Sequence, residues 1–205
     1  MFIQVIQGMC TDEAMLRRQM DRWKEDLAPG APGWLGGTYG MTDDGQFVGV
    51  VRFESREAAA RNSMRPEQGE WWATVEKCFD GEVAFHDCDD AILMLDGGSD
   101  DAGFVQVIQG RLDDPARFRE FMSQPMDMLQ EARPDIIGGT IAIDADGWFT
   151  ETMAFRSEAE ARKGEQMEMP EEMSERFTRE MEQVKDMRYL DLHHPWFASA
   201  GADAR

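Results

Sequence analysis

The chain is short of cysteine, histidine, tyrosine and positive charge. Of its 205 residues only 3 are cysteine, 3 histidine and 2 tyrosine, and 21 lysines and arginines face 41 aspartates and glutamates. Cys10, Cys78 and Cys88 are odd in number, far apart and without a neighbouring cysteine or a histidine pair at metal-ligand spacing. Reduced thiols are therefore expected, with neither a disulfide scaffold nor a zinc site. A formal charge of -20 repels a phosphate backbone and an anionic bilayer, which argues against nucleic acid and membrane as partners. No apolar run reaches the roughly 18 to 20 residues of a membrane span, and Met1 to Gln7 has neither a basic start nor a long apolar stretch. A cytoplasmic protein is the expectation. Gly-rich phosphate loops, nucleophile elbows and Cys-His pairings are also missing. What remains is ample core material, 42% apolar and 10% aromatic, enough to exclude disorder as the main state.

That material is organised as two copies of one unit. Phe2-Ile3-Gln4-Val5-Ile6-Gln7-Gly8 returns as Phe104-Val105-Gln106-Val107-Ile108-Gln109-Gly110, six of seven residues identical at a displacement of 102. The same displacement carries Gly36-Gly37-Thr38 onto Gly138-Gly139-Thr140, Asp44-Gly45 onto Asp146-Gly147, and Phe53 and Ser55 onto Phe155 and Ser157. After Phe79 the register slips by two, so Phe85-His86-Asp87 aligns with Tyr189-Leu190-Asp191. The expected division is a first repeat over 1–88, a linker over 89–103 with a short strand at Ile92 to Leu95, a second repeat over 104–197 and a flexible tail over 198–205.

Each copy reads in the same order. An alternating strand is followed by a helix capped by Thr11 or Asp12, with Leu16, Met20, Trp23 and Leu27 on its apolar stripe. In the second copy Asp114 caps, Pro115 takes the first turn, Phe118, Met122 and Leu129 form the stripe, and Pro125 in place of Trp23 predicts a kink. Two alternating runs joined at Asp44-Gly45 and Asp146-Gly147 predict hairpins. Ser55 and Ser157 sit where helix caps would, and Trp71, Val75 and Phe79 match Met173, Phe177 and Met181 as the stripe of a two-segment helix. A last strand, about 82–87 and 186–192, closes each unit.

This order, with the Gly-Gly-Thr edge of the second strand and the Phe-x-Ser start of the long helix, resembles the dimeric α+β barrel superfamily, which includes antibiotic-biosynthesis-type monooxygenases. The resemblance implies an α+β fold of two tandem ferredoxin-like βαββαβ units forming an intramolecular dimeric α+β barrel. It also implies a monomer that is internally a pseudo-dimer, two units of about 100 residues sharing one core.

Several residues stand out within that frame. Gln4 and Gln106 are amides in apolar strands. The haem-degrading branch of the resembled family places an asparagine about there, so they are ligand-binding candidates; the alternative is an amide bonded across the pseudo-symmetric seam. The tryptophan and histidine of that branch fall near Asn62 and Trp71, so no imidazole stands ready as an axial iron ligand, and no metal or other cofactor is implied. Asn62 and Trp72 are kept as pocket-lining candidates, whereas Trp71 on the stripe reads as core.

Glu151 breaks the apolar face of Phe149, Met153 and Phe155, and its counterpart is Gly49. Burial there would raise its pKa toward that of a general base; an exposed position or a pair with Arg52 or Arg156 is the alternative. His86, replaced by Leu190 in the second copy, is the other catalytic candidate. The expectation from the resemblance is a monooxygenase-like, cofactor-independent enzyme acting on a small apolar or aromatic molecule. The alternative is a non-catalytic small-molecule-binding or stress-associated protein with a degenerate barrel pocket.

Overall fold

A computed structural model of the chain describes residues 1–95, 97–122, 127–168 and 170–199. The chain divides into two compact units, residues 1–89 with 196–205, and residues 90–195.

The first unit begins with strand β1 (Phe2–Cys10), whose alternation places Phe2, Gln4 and Ile6 on one face and Ile3, Val5 and Gln7 on the other. Helix α1 (Glu13–Arg22) starts where the Asp12 carboxylate accepts from the Met15 N–H. Past Arg22 it widens into a π turn over Trp23–Leu27, and Leu16, Trp23 and Leu27 are all buried. Strands β2 (Trp34–Met41) and β3 (Gln46–Phe53) form the expected hairpin, with Gly45 at φ +88° in the turn, a conformation that costs glycine little. Ser55 caps α2 (Arg56–Ser63), accepting from the Ala58 N–H, and α3 (Pro66–Val75) carries the second helical segment. Strand β4 (Phe79–Cys88) pairs with β1 and forms one edge of the sheet.

The second unit repeats this course. It runs through β6 (Phe104–Leu112), α4 (Pro115–Met122), α5 (Asp127–Ala132), β7 (Ile136–Ile143), β8 (Trp148–Phe155), α6 (Glu158–Gly164), α7 (Glu171–Met181) and β9 (Val184–Leu192). The Asp114 and Ser157 caps form, through Arg117 N–H and Glu160 N–H. Even the irregularities repeat: register shifts fall between Trp34 and Gly36 and between Ile136 and Gly138, and again between Gln7 and Met9 and between Gln109 and Arg111.

Each unit is an antiparallel sheet with helices against it, and in each the ferredoxin-like four strands gain a fifth. That strand comes from the segment following the other repeat. β5 (Asp90–Met94) follows β4 in sequence but pairs with β7, giving the order β5-β7-β8-β6-β9. β10 (Trp196–Ser199) follows β9 but pairs with β2, giving β10-β2-β3-β1-β4. The tail therefore starts as a strand rather than a frayed end, because the β2 edge offers it a hydrogen-bonding ladder and Ala198 becomes buried. Residues 200–205 lie outside the described residues, as does Pro125 with its expected kink.

Two stripe assignments differ from expectation. Phe79 keeps the four-residue spacing after Trp71 and Val75, yet Glu76–Cys78 tightens into a 3-10 turn and Phe79 enters β4 opposite Cys10. Phe177 lies on α7 but is 42% exposed, since helical spacing fixes which residues share a face, not how far the sheet extends beneath them. Both closing strands also start earlier than expected. Cys10, Cys78 and Cys88 are thiols rather than disulfides, and all three are buried. Among the described residues no helix is long and apolar enough to cross a membrane.

Candidate functional site

The helix-covered face of the second sheet carries two buried polar side chains, Gln106 and Glu151, among apolar neighbours. Phe149, Glu151, Met153 and Phe155 alternate onto it from β8, and Ile108 of β6 and Ile141 of β7 flank Glu151 on either side. Around them Phe118, Met94, Ile108, Ile141 and Phe149 pack as one buried cluster. Glu151 is itself 9% exposed, and among the described residues it has neither a hydrogen-bond nor an ion-pair partner, so the alternatives of an exposed carboxylate or a pair with Arg52 or Arg156 are not what the side chain adopts. Burial without compensation disfavours the ionised form and pushes its pKa from 4.5 up to about 7.

The first unit fills the equivalent spot differently. Gly49 occupies the place of Glu151, and a Cβ there would sit 3.1 Å from Tyr39 Cδ1 and 3.1 Å from Phe47 Cζ. The two aromatic rings need that room. In the second unit Ile141 stands where Tyr39 does, and the volume released by the smaller side chain admits the glutamate. The Tyr39 phenol is buried and its pKa is raised by that burial, so it stays a neutral core group. The compensating pair, Tyr39 with Gly49 against Ile141 with Glu151, was present in the repeat alignment. Its meaning needed the pairing of β2 with β3 and of β7 with β8.

The glutamines are engaged inside their own units. Gln4 Nε2 donates to Asp87 Oδ1 at 2.8 Å, and Arg56 Nη1 holds the other oxygen of Asp87 at 3.1 Å. Gln106 Nε2 donates to Asp191 Oδ1 and Glu165 Oε1, each at 3.3 Å, while Arg162 binds both carboxylates. The partner is the last-strand aspartate of the same unit rather than a group across a seam. Arg56 and Arg162 also lie over the Phe2 and Phe104 rings, so each unit builds the same Gln-Asp-Arg-Phe constellation. The arginines come from non-equivalent positions on α2 and α6, which hid the likeness from sequence alignment.

Asn62 is buried, and its Oδ1 accepts from Arg65 Nη1 at 3.0 Å; Arg65 in turn donates to the Leu27 carbonyl at 3.1 Å, tying α2 to the end of the first helical segment. Trp71 donates from Nε1 to the Gln19 carbonyl at 2.8 Å and packs on the core. Trp72 points elsewhere, lining an open groove with Phe85. His86 pairs with Val5, so it lies on the face opposite Gln4 and the helices. Glu151 and His86 belong to different units and to faces of opposite kind.

A buried polar row on the other face of the second sheet carried no clear sequence signal. Gln109 is fully buried; its Nε2 donates to Thr150 Oγ1 at 2.8 Å and its Oε1 accepts from Arg188 Nε at 2.9 Å. Thr140 and Thr152 share a hydrogen bond of 2.8 Å beside it. Threonine and glutamine suit strands on either face, so only the tertiary burial distinguishes these from surface positions.

The sequence matches no protein-family model and no curated protein. Its fold nevertheless recurs among solved structures. A Lactobacillus acidophilus protein named "putative monooxygenase" superposes with a TM-score of 0.74 at 13% identity, over 97% of this chain and 95% of its own. An anthrone oxidase-like protein gives 0.62 at 8% identity over 100% and 96%. A Listeria monocytogenes ferredoxin-fold protein related to antibiotic biosynthesis monooxygenases gives 0.53 at 11% identity over 94% of each chain. At such identities the likeness is one of fold. The chain has the tandem ferredoxin-like architecture of antibiotic-biosynthesis-monooxygenase-like proteins, as the sequence resemblance implied.

Proposed function

We propose that the protein is a monooxygenase-like, cofactor-independent enzyme that acts on a small apolar aromatic molecule, with Glu151 as the general base. One observation carries this reading: a carboxyl group isolated in an apolar setting, with a pKa of about 7, is half deprotonated at neutral pH and matched to accept a proton from carbon or oxygen. The names of the structural neighbours support the reaction class. One is called anthrone oxidase-like, and an anthrone has the required chemistry, a flat apolar body with an activated CH2.

In the proposed reaction the Glu151 carboxylate takes one proton from that CH2, and the electron pair left on carbon reduces molecular oxygen. One oxygen atom ends as the new carbonyl and the other leaves as water, so CH2 plus O2 gives C=O plus H2O. Glu151 first returns its proton to the peroxide now on carbon, then takes the remaining C–H proton as the O–O bond breaks and passes it to the departing hydroxide, which leaves as water. The chain works in this reading as a single copy, both repeats being on one polypeptide.

The test is oxygen uptake with anthrone as substrate. The wild-type kcat/KM is expected to rise with pH through about 7 as Glu151 ionises, and Glu151→Gln is expected to lose turnover while remaining folded. An unchanged rate in that variant removes Glu151 from the scheme. A second reading, a non-catalytic binder, is favoured by Glu151 having no acid or base paired with it among the described residues. Ligand retention without oxygen uptake would select it.

A further inference from the structure

The groove beside Trp72 belongs to the first unit and is unrelated to Glu151. It has a volume of about 500 Å³ and lies between the end of α3 and the first half of β4. Trp72 and Phe85 form two of its walls, their rings 5.1 Å apart and inclined at 64°. Val83 adds an apolar side, and Glu76, Glu82 and Lys77 supply the charges. Phe85 is 46% exposed, an apolar surface that the sheet and helices leave uncovered.

Among the described residues the side chains of Glu76, Glu82 and Lys77 take part in no ion pair or hydrogen bond, so Lys77 neutralises neither carboxylate. The site thus combines two aromatic rings, one of them an indole, with a net negative charge. Aromatic faces attract cations through their quadrupoles, and the attraction is useful only to cations that give up water easily. Small metal ions hold their water too tightly, and no group of three potential metal ligands occurs among the described residues. Alkylated ammonium ions are weakly hydrated and carry methyl groups that suit Val83 and the rings. An overall charge of -20 raises the local concentration of any cation.

The second unit serves as an internal contrast. The repeat alignment puts Ser174 and Thr178 at the places of Trp72 and Glu76, and Asp186, Met187 and Tyr189 at those of Glu82, Val83 and Phe85. The indole and one carboxylate are gone, so only the first copy has the full set.

We propose that the groove formed by Trp72, Phe85, Glu76 and Glu82 binds a small alkylated ammonium ion against the two rings. The probe is choline, titrated by calorimetry at constant ionic strength, with 3,3-dimethyl-1-butanol as its uncharged isostere. Choline is expected to saturate one site and to bind on the order of tenfold more tightly than the neutral compound. Trp72→Leu is expected to weaken choline by about threefold to thirtyfold. Glu82→Gln and Glu76→Gln, both exposed and so neutral for folding, weaken it as well. Lys77→Gln is expected to tighten it by roughly twofold to threefold, because a like charge leaves the site. A merely structural role for these residues would not produce that opposite sign. Absence of saturable choline binding, equal affinity for the neutral isostere, or binding that survives the Glu76→Gln and Glu82→Gln variants overturns the proposal.

Discussion

Replacing Glu151 by glutamine should make the protein more stable as the pH rises, relative to the wild type. The carboxyl has a pKa of about 7 when folded and an ordinary value of 4.5, so the folded state holds a proton that the unfolded state has already lost between those limits. Stability therefore falls with pH across that window. Below 4.5 both states are protonated and the contribution is complete; above about 7 both are ionised and it is gone. The full interval is worth about 3 kcal/mol at about 1.4 kcal/mol per pH unit, and about 2 kcal/mol of it falls between roughly pH 5.5 and 8.5. Glutamine is nearly isosteric and does not titrate, so its own cost is constant.

The assay is urea denaturation of both proteins at several pH values in that range, following the transition that unfolds the second unit. All other carboxylates titrate alike in the two proteins and cancel in the difference. The variant should gain about 2 kcal/mol on the wild type from the lowest pH to the highest. Parallel stability curves would refute the reasoning. They would mean that the folded Glu151 titrates at its ordinary pKa, hydrated or paired, and is no poised base.

Other perturbations test the packing that frames the site. Gly37→Ala drives a methyl group onto the Tyr39 hydroxyl, and since Tyr39 is 3% exposed and cannot swing out, a loss of about 1–3 kcal/mol is expected by denaturant titration, partly recovered by adding Tyr39→Phe. Phe118→Ala removes a ring that is 1% exposed and 5.4 Å from Phe149; a loss of about 3–5 kcal/mol at an unchanged denaturant slope is expected. Ser55→Ala and Ser157→Ala each delete the acceptor of an orphan helix N–H, at about 1 kcal/mol, measurable as lowered thermal midpoints. Asp191→Ala leaves the amide of Gln106 and the guanidinium of Arg162 with fewer acceptors, and a loss of about 1–2 kcal/mol is expected.

The repeat, the hairpins at Gly45 and Gly147 and the caps at Ser55, Asp114 and Ser157 are local properties of the chain. They rest on side-chain alternation, on the φ freedom of glycine and on an oxygen placed three residues before an N–H, and the sequence alone determined them. The face on which Glu151 lies was equally legible, because alternation along a strand assigns it without reference to any partner.

What covers that face was not legible. The isolation of Glu151 depends on Ile108 and Ile141 arriving beside it from strands 43 positions before it and 10 positions before it in sequence, a matter of strand register. The same holds for the fifth strand of each sheet. Ile92 and Trp196 sit in short apolar segments that by themselves name no partner, and only the open edges of β7 and β2 decided where they pair. Gln4 and Gln106 were visible as amides that needed partners, but Asp87 and Asp191 became those partners through strand pairing, and Arg56 and Arg162 reached them from different turns of their helices. Periodicity assigns a residue to a face; the energy of a buried polar group is set by which atoms meet it there, and that is a property of the tertiary structure alone.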